Sequence, residues 1–233
     1  MNIDMSNLPE HIGIIMDGNR RWAKKNGFSK IKGHREGANT LKILVENASK
    51  LGIKYLTVYA FSTENWKREE NEVNEIMNLL REFLIECERK YTKEDYVVGF
   101  IGDSSALTQD IQDRMRRVSE KTKDKKGLHL YIAINYGGRD EIIRAVRKMV
   151  ESGTKELEIT EKRLSEYLDT SGVPDPELII RTSGEMRISN FLTWQSVYSE
   201  FYFSDKYWPD FSIDDFKLAI LDFQNRNRRF GGI

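Results

Sequence analysis

Ile12-Gly13-Ile14-Ile15-Met16-Asp17-Gly18-Asn19-Arg20-Arg21-Trp22 decides the fold. Residues 12–16 form an apolar run of the length of a buried strand, and the run stops at a carboxylate, a glycine, an amide and two guanidinium groups. A strand that ends in a polar turn and feeds a helix is the repeating unit of an α/β protein. Working outward, the same pattern recurs. Apolar runs at 56–61, 97–101, 128–135, 178–181 and 201–203 alternate with amphipathic stretches at 36–50, 72–88, 107–122, 139–151, 161–169 and 213–225. The stretch 72–88 sets Val73, Ile76, Met77, Leu80, Phe83, Leu84 and Cys87 at three- and four-residue steps, which gives one broad apolar helix face. Residues 169–176, with two prolines and a glycine, read as a loop, and no segment resembles an interdomain linker. The expectation is one α/β domain over residues 1–233, with a largely parallel central sheet of about six strands flanked by helices.

Composition narrows the function. Charged residues make up 32% and hydrophobic residues 39%, and 37 basic groups balance 37 acidic ones. No global field would draw the chain to nucleic acid or anionic lipid, so any anion site must be local. No apolar run reaches the length of a membrane span, and the first residues lack a secretory pattern, so the expected location is the cytoplasm. Cys87, the only cysteine, lies in an apolar helical pattern and reads as a packing residue. The chain has no Gly-Lys-Ser/Thr phosphate loop, no Gly-x-Gly-x-x-Gly fingerprint and no cysteine–histidine metal spacing. It also lacks the Asp-Asp-x-x-Asp motif of the all-helical trans-prenyltransferases.

Polar clusters follow four of the apolar runs: Asp17-Gly18-Asn19, then Ser62 with Glu64 and Asn65, then Asn135 with Gly137 and Gly138, then Thr182-Ser183-Gly184. In an open α/β sheet the carboxyl edge is where ligands bind, so the four clusters suggest one composite site. Asp17 to Trp22 suits a diphosphate: the carboxylate can hold magnesium, the glycine lets backbone approach, and arginine forks onto phosphate oxygens. The same residues also suit a capped helix start followed by solvated arginines. Lys30, Lys32, His34 and Arg35 surround Gly33 just ahead of the stretch 36–50, a second basic group beside a helix start. Phe61 to Arg68 mixes aromatic, hydroxyl, carboxylate, amide and basic groups, as an apolar substrate with a charged head requires, though Ser62 or Thr63 could simply cap a helix. Arg181 and Arg187 with Ser183 and Ser189 could clamp a further diphosphate. Glu200, set among aromatic residues, is costly to bury alone and is therefore either a metal ligand or an edge-strand carboxylate facing solvent.

The sequence closely resembles the cis-prenyltransferases, of the bacterial undecaprenyl diphosphate synthase kind. The resemblance is carried by His11 to Trp22, Gly33-His34, Tyr59 to Trp66, Asn135-Tyr136-Gly137-Gly138-Arg139, Ile180 to Glu185 with Arg187 to Phe191, and Arg228-Arg229-Phe230-Gly231-Gly232. It implies a magnesium-dependent enzyme that condenses isopentenyl diphosphate with an allylic diphosphate. By that resemblance Asp17 would hold magnesium and assist departure of the allylic diphosphate, which Gly18, Asn19, Arg20, Arg21, Lys30 and His34 would grip. Arg181, Arg187, Ile188 and Ser189 would hold isopentenyl diphosphate, and Glu200 falls on a magnesium position. Asn65 falls on the position assigned as proton acceptor, although an amide is a poor base and more plausibly positions substrate or relays a proton. Trp22, Ser62, Thr63, Glu64, Trp66 and Arg68 fall on substrate-contact positions. The apolar faces of 36–50 and 72–88 would wall a tunnel for the growing chain.

The resemblance further implies a homodimer in which residues 226–232 reach the neighbouring site, transient contact with the inner membrane surface for product release, and no nucleic-acid partner. Two departures stand out. Lys30 replaces a frequent arginine and loses its planar fork. Met186 replaces a histidine found in some members, and a thioether is a poor ligand for magnesium. The rival readings are a non-catalytic subunit of the same fold and a binder of RNA or another phosphate-rich ligand through the basic clusters.

Overall fold

The computed structural model describes residues 3–91 and 93–226. Six strands, β1 (His11–Ile15), β2 (Tyr55–Ser62), β3 (Tyr96–Ile101), β4 (Leu128–Tyr136), β5 (Leu178–Arg181) and β6 (Glu200–Phe203), form one sheet in the order β3-β4-β2-β1-β5-β6. Every neighbouring pair is parallel. The helices are α1 (Asn19–Lys25), α2 (Lys30–Lys50), α3 (Glu70–Arg89), α4 (Gln109–Thr122), α5 (Gly138–Glu151), α6 (Glu161–Ser165) and α7 (Ile213–Gln224). All five residues of β1 and all four of β5 are buried, as continuous apolar runs in a sheet covered on both faces should be. Cys87 is fully buried in the core, and burial pushes its thiol well above the ordinary range, which suits a packing residue.

The expected strands and helices are present, with one consequential shift. α2 begins at Lys30, six residues ahead of the expected start, with Ser29 as its N-cap accepting from the Lys32 N–H. The basic group around Gly33 therefore lies on the first turns of α2 and not in a loop before it. Gly33 and Gly37 allow this, because α1 lies directly against them. A Cβ on Gly33 would fall 2.2 Å from the Asn19 carbonyl oxygen, and one on Gly37 would fall 2.3 Å from Asn19 Oδ1. The glycines that weaken helix propensity are what let two helices touch at backbone distance. α6 ends at Ser165, earlier than the stretch 161–169 suggests, and β6 starts at Glu200.

β1 lies between β2 and β5, so the chain leaves it first to one side and later to the other. A crevice opens at the carboxyl ends where connections diverge in this way. At the opposite edge His11 is buried, its ring nitrogens 2.6 Å from the Pro174 carbonyl oxygen and 2.8 Å from Thr57 Oγ1. Burial lowers its pKa to about 4. The unfolded chain therefore takes up a proton near pH 6.5 that the folded chain refuses until about pH 4. Stability attributable to His11 is thus complete above pH 6.5 and falls by about 3 kcal/mol as pH drops through that window. Denaturant melts at pH 7 and 4.5 should show wild type losing more stability than His11→Asn. Parallel losses would remove His11 as the cause.

Candidate active site

Two of the four polar clusters, those after β1 and β2, meet residues from the end of β5 at the carboxyl edge around a cavity of about 550 Å³. Its lining includes Asp17 after β1, Ser62 at the end of β2 with Glu64 and Asn65 beyond it, Arg181 at the end of β5 with Ser189 and Asn190 in the loop that follows, His34 from α2 and Arg68 from the turn ahead of α3. An adjoining cavity of about 310 Å³ is lined by Asp17, Gly18, Asn19, Arg20, Arg21, His34 and Arg68. A third, of about 110 Å³, continues inward between α2 and α3, where Ala38, Leu41, Ile76, Leu80, Phe83 and Trp208 make it apolar.

Asp17 is the hub. Its Oδ2 accepts from Arg181 Nη2 at 2.9 Å, and its Oδ1 lies 3.1 Å from Arg21 Nη2. Burial pushes the carboxyl pKa up, but hydrogen bonds and charge from Arg181 and Arg21 together outweigh it and hold it below the usual carboxylate range. Its backbone is pinned as well: the carbonyl accepts from Thr182 Oγ1 at 2.7 Å and from the Trp208 N–H at 2.9 Å. Arg181 is itself 4% exposed and donates through Nη1 to Ser189 Oγ at 2.7 Å and to the Arg187 carbonyl oxygen. Gly18 follows with φ +106°, and a Cβ there would fall 2.9 Å from both Ser183 Oγ and the Tyr207 ring, so no other residue fits the turn.

The second half of the site is organised by Glu72, a residue the sequence placed only as a helix start. Its buried carboxylate lies 3.1 Å from Arg68 Nη1, 3.3 Å from His34 Nε2, 3.7 Å from Arg20 Nε and 3.8 Å from Lys30 Nζ. Arg68 and Glu72 are four apart, the spacing of a helix-surface ion pair, which was the signal available. One carboxylate thus gathers three permanent cations and a histidine, leaving surplus positive charge. Burial lowers the His34 pKa, and the nearby Arg68 and Arg20 add to that against the pull of Glu72, so the imidazole is neutral at pH 7.

Asn65 sits in the 3-10 turn Thr63–Lys67, and its Oδ1 accepts from the Ser62 N–H at 3.1 Å. The clusters Asn135-Gly137-Gly138 and Thr182-Ser183-Gly184 support the site and do not line it. Asn135 Oδ1 accepts from Trp66 Nε1 at 2.7 Å. Asn190, part of the motif Arg187 to Phe191 but not expected as a site residue, donates to Glu64 Oε1 at 3.1 Å and accepts from the Arg139 N–H at 2.9 Å, tying the ends of β2, β4 and β5 together. Asn135, Ser183, Ser189, Asn190 and Leu192 all have positive φ, and this concentration of unusual backbone around one cavity marks a shaped site.

Several expected contacts lie elsewhere. Trp22 lines none of these cavities; its Nε1 donates to Asp210 Oδ1 at 2.7 Å and its ring packs on Phe28. Thr63 and Trp66 line none of these cavities either, and Trp66 is exposed. Lys30 bonds Glu69 at 2.9 Å on the rim, and Arg187 bonds Glu185 at 2.6 Å outside the cavity, beside the half-buried Ile188. Met186 is 76% exposed. Glu200 pairs with Leu178 at the amino end of β5, whereas Asp17 adjoins Arg181 at the carboxyl end, roughly 10 Å farther along the strand. Glu200 instead bonds Arg226 Nη1 at 2.7 Å, so one chain does not bring the two expected metal carboxylates together. Of the expected C-terminal arm, only Arg226 falls among the described residues; 227–232, with the closing motif, lie outside them. Among the described residues no group of three His, Cys, Asp or Glu could hold a metal, and no helix is long and apolar enough to cross a membrane.

The comparisons agree with this geometry. Residues 15–231 match the family model described as putative undecaprenyl diphosphate synthase. An isoprenyl transferase of Clostridium perfringens is 50% identical over 97% of this chain and 91% of that protein. Another, from Staphylococcus haemolyticus, is 50% identical over 100% of this chain and 92% of that protein. Among solved structures, lavandulyl diphosphate synthase from Lavandula x intermedia, in complex with dimethylallyl diphosphate, superposes with a TM-score of 0.90 at 38% identity, covering 96% of this chain and 98% of that one. A probable undecaprenyl diphosphate synthase from Campylobacter jejuni gives 0.82 at 36% identity, covering 97% and 99%. With the parallel sheet, the edge site and the whole-length match in agreement, the chain belongs to the undecaprenyl diphosphate synthase family of prenyltransferases.

Proposed function

We propose that the chain extends an allylic diphosphate, farnesyl or geranylgeranyl, by successive cis additions of isopentenyl diphosphate. The product is a long-chain polyprenyl diphosphate, undecaprenyl diphosphate for a cell-wall carrier lipid. The observation that carries this reading is a cation-rich mouth around Asp17 opening onto an apolar cavity between α2 and α3, the shape complement of a charged head on a hydrocarbon tail. Arg20, Arg21 and His34, with Gly18 and Asn19, grip the allylic diphosphate. Arg181 and Ser189 hold isopentenyl diphosphate, and Arg187, paired with Glu185 outside the cavity, would have to leave Glu185 to join them. The allylic carbon–oxygen bond breaks with its electron pair on the diphosphate, the terminal alkene carbon of isopentenyl diphosphate bonds to that allylic carbon and leaves a cation on its neighbour, and the methylene on the diphosphate side of that cation loses a proton to form the new double bond.

Neutral His34 has a ring nitrogen to accept that proton, whereas Asn65, whose Oδ1 is engaged by the Ser62 N–H, positions substrate. The donor set fits magnesium, which binds through one or two carboxylates together with substrate phosphates and waters. Asp17 would hold it, and when bound it supplies neutralisation of the charge growing on the departing diphosphate. Glu200 could join only from a second copy. An exposed apolar stripe on α5, Ile143, Val146 and Val150, supports a homodimer. The apolar cavity, at about 110 Å³, is smaller than one that holds benzene, so a growing chain must part α2 from α3. The reaction belongs in the cytoplasm, with transient contact at the inner membrane face to hand on so apolar a product. Chelating magnesium should abolish turnover and replacement restore it, with unchanged circular dichroism throughout. Full turnover in chelator would contradict the role given to Asp17.

A further inference from the structure

Three consecutive residues after β6 touch the Asp17 turn from below. The Lys206 carbonyl oxygen accepts from the Ser183 N–H at 2.7 Å, and the Trp208 N–H donates to the Asp17 carbonyl oxygen at 2.9 Å. Tyr207, between them, lays its ring against Gly18: a Cβ there would fall 2.9 Å from Tyr207 Cδ1 and 3.0 Å from its Cα. The same ring lies 5.9 Å from Arg21 Cζ and 5.9 Å from Lys25 Nζ, one turn apart on the same face of α1. That is within cation–π range, where a cation is attracted to the ring face.

Arg21 has three further partners: Asp17 Oδ1 at 3.1 Å, Glu185 Oε1 at 2.8 Å and the Ser183 carbonyl oxygen at 3.4 Å. All three are oxygen acceptors that a diphosphate would compete with for the guanidinium. The aromatic ring is not, because it offers no oxygen to exchange and stays beneath the side chain in either state. The Arg21 side chain is 42% exposed, so without such a seat it would be free to swing once its acceptors let go.

We infer that Tyr207 is a positioning residue for the allylic diphosphate: its ring seats Gly18 and Arg21 and keeps the guanidinium aimed at the ligand when Asp17 and Glu185 release it. This rests on the reaction proposed above. Arg181, on the other side of Asp17, hydrogen-bonds to Asp17, Ser189 and Arg187 and not to Tyr207, so the isopentenyl half of the site does not depend on it. The Tyr207 hydroxyl makes no hydrogen bond among the described residues, so the ring face and not the phenol carries the effect.

The test is calorimetric titration of the full chain with farnesyl diphosphate alone and with isopentenyl diphosphate alone, both with magnesium. Tyr207→Phe keeps the ring and should bind both as wild type does. Tyr207→Leu keeps apolar bulk against Gly18 but removes the ring face, and should weaken farnesyl diphosphate about fivefold to thirtyfold while leaving isopentenyl diphosphate within about twofold. Should the leucine variant fail to fold, as read by circular dichroism, Tyr207→Met takes the same measurement. Equal weakening of both ligands, unchanged farnesyl diphosphate affinity without the ring, or a phenylalanine variant as impaired as the leucine one would each overturn the assignment. A wild-type chain that binds neither diphosphate would instead sink the proposed reaction itself.

Discussion

Replacing Asp17 with alanine is expected to lower kcat by about a hundredfold to a thousandfold while the chain stays folded. The carboxylate lies between two guanidinium groups, at 2.9 Å and 3.1 Å, and is held ionised by them against the cost of its own burial. In the proposed reaction it is the one acidic group at the point where charge develops, so its removal acts on the transition state more than on binding. Truncation also deprives the buried Arg181 of its charged partner, which should cost about 1–3 kcal/mol of stability. Asp17→Asn separates the two effects: it keeps an acceptor for Arg181 and should recover most of the stability but little of the turnover. Near-normal turnover in both variants would refute the catalytic role.

Glu72→Ala should have the largest effect on stability. Its carboxylate is 5% exposed and has Arg20, Lys30, His34 and Arg68 within 4 Å, and Arg68 is largely removed from water, which lowers its pKa. Taking away the anion that Arg20, His34 and Arg68 share leaves those groups facing one another with no counter-charge between them, a loss of about 3 kcal/mol or more, while Lys30 keeps Glu69. The exposed parts of Arg20 and Lys30 are screened by water, so the figure rests chiefly on Arg68 and His34. Turnover should fall as well, because the same contacts fix where the cations point. Inhibition by inorganic diphosphate should not weaken, since the mouth becomes more positive. Denaturant melts and diphosphate inhibition constants measure both. A stability change under about 0.5 kcal/mol, or marked loss of diphosphate inhibition, would contradict the organising role.

The strands were legible because a sheet covered on both faces requires apolar runs such as Ile12 to Met16, and their parallel arrangement followed from alternation with helices, whereas their order in the sheet did not. The site was legible to the extent that its groups follow strands directly. Asp17, Ser62, Glu64, Asn65 and Arg181 all fall on the cavity wall. What escaped the sequence depends on contacts between distant segments. Gly33 read as part of a loop ahead of the helix, yet it sits in α2 with Gly37 because α1 occupies the space their side chains would fill. Glu72 looked like an ordinary helix-start carboxylate until four groups from two helices and one turn converged on it. Asn190 and the positive φ values of Ser189 and Leu192 are imposed by packing of Phe191 against Tyr59 and Tyr136, which no local propensity records. Glu200 was correctly seen to need a partner, but the partner in the chain is Arg226 and not a metal beside Asp17.

The central claim is that this chain, alone, builds a hydrocarbon at the edge of its sheet. The most direct test is incubation of the purified protein with farnesyl diphosphate, labelled isopentenyl diphosphate and magnesium, followed by separation of the products by length. The account predicts label in a series of polyprenyl diphosphates that lengthens with time. No incorporation by a folded chain that still binds both diphosphates would contradict it and mark the protein as a non-catalytic member of its family.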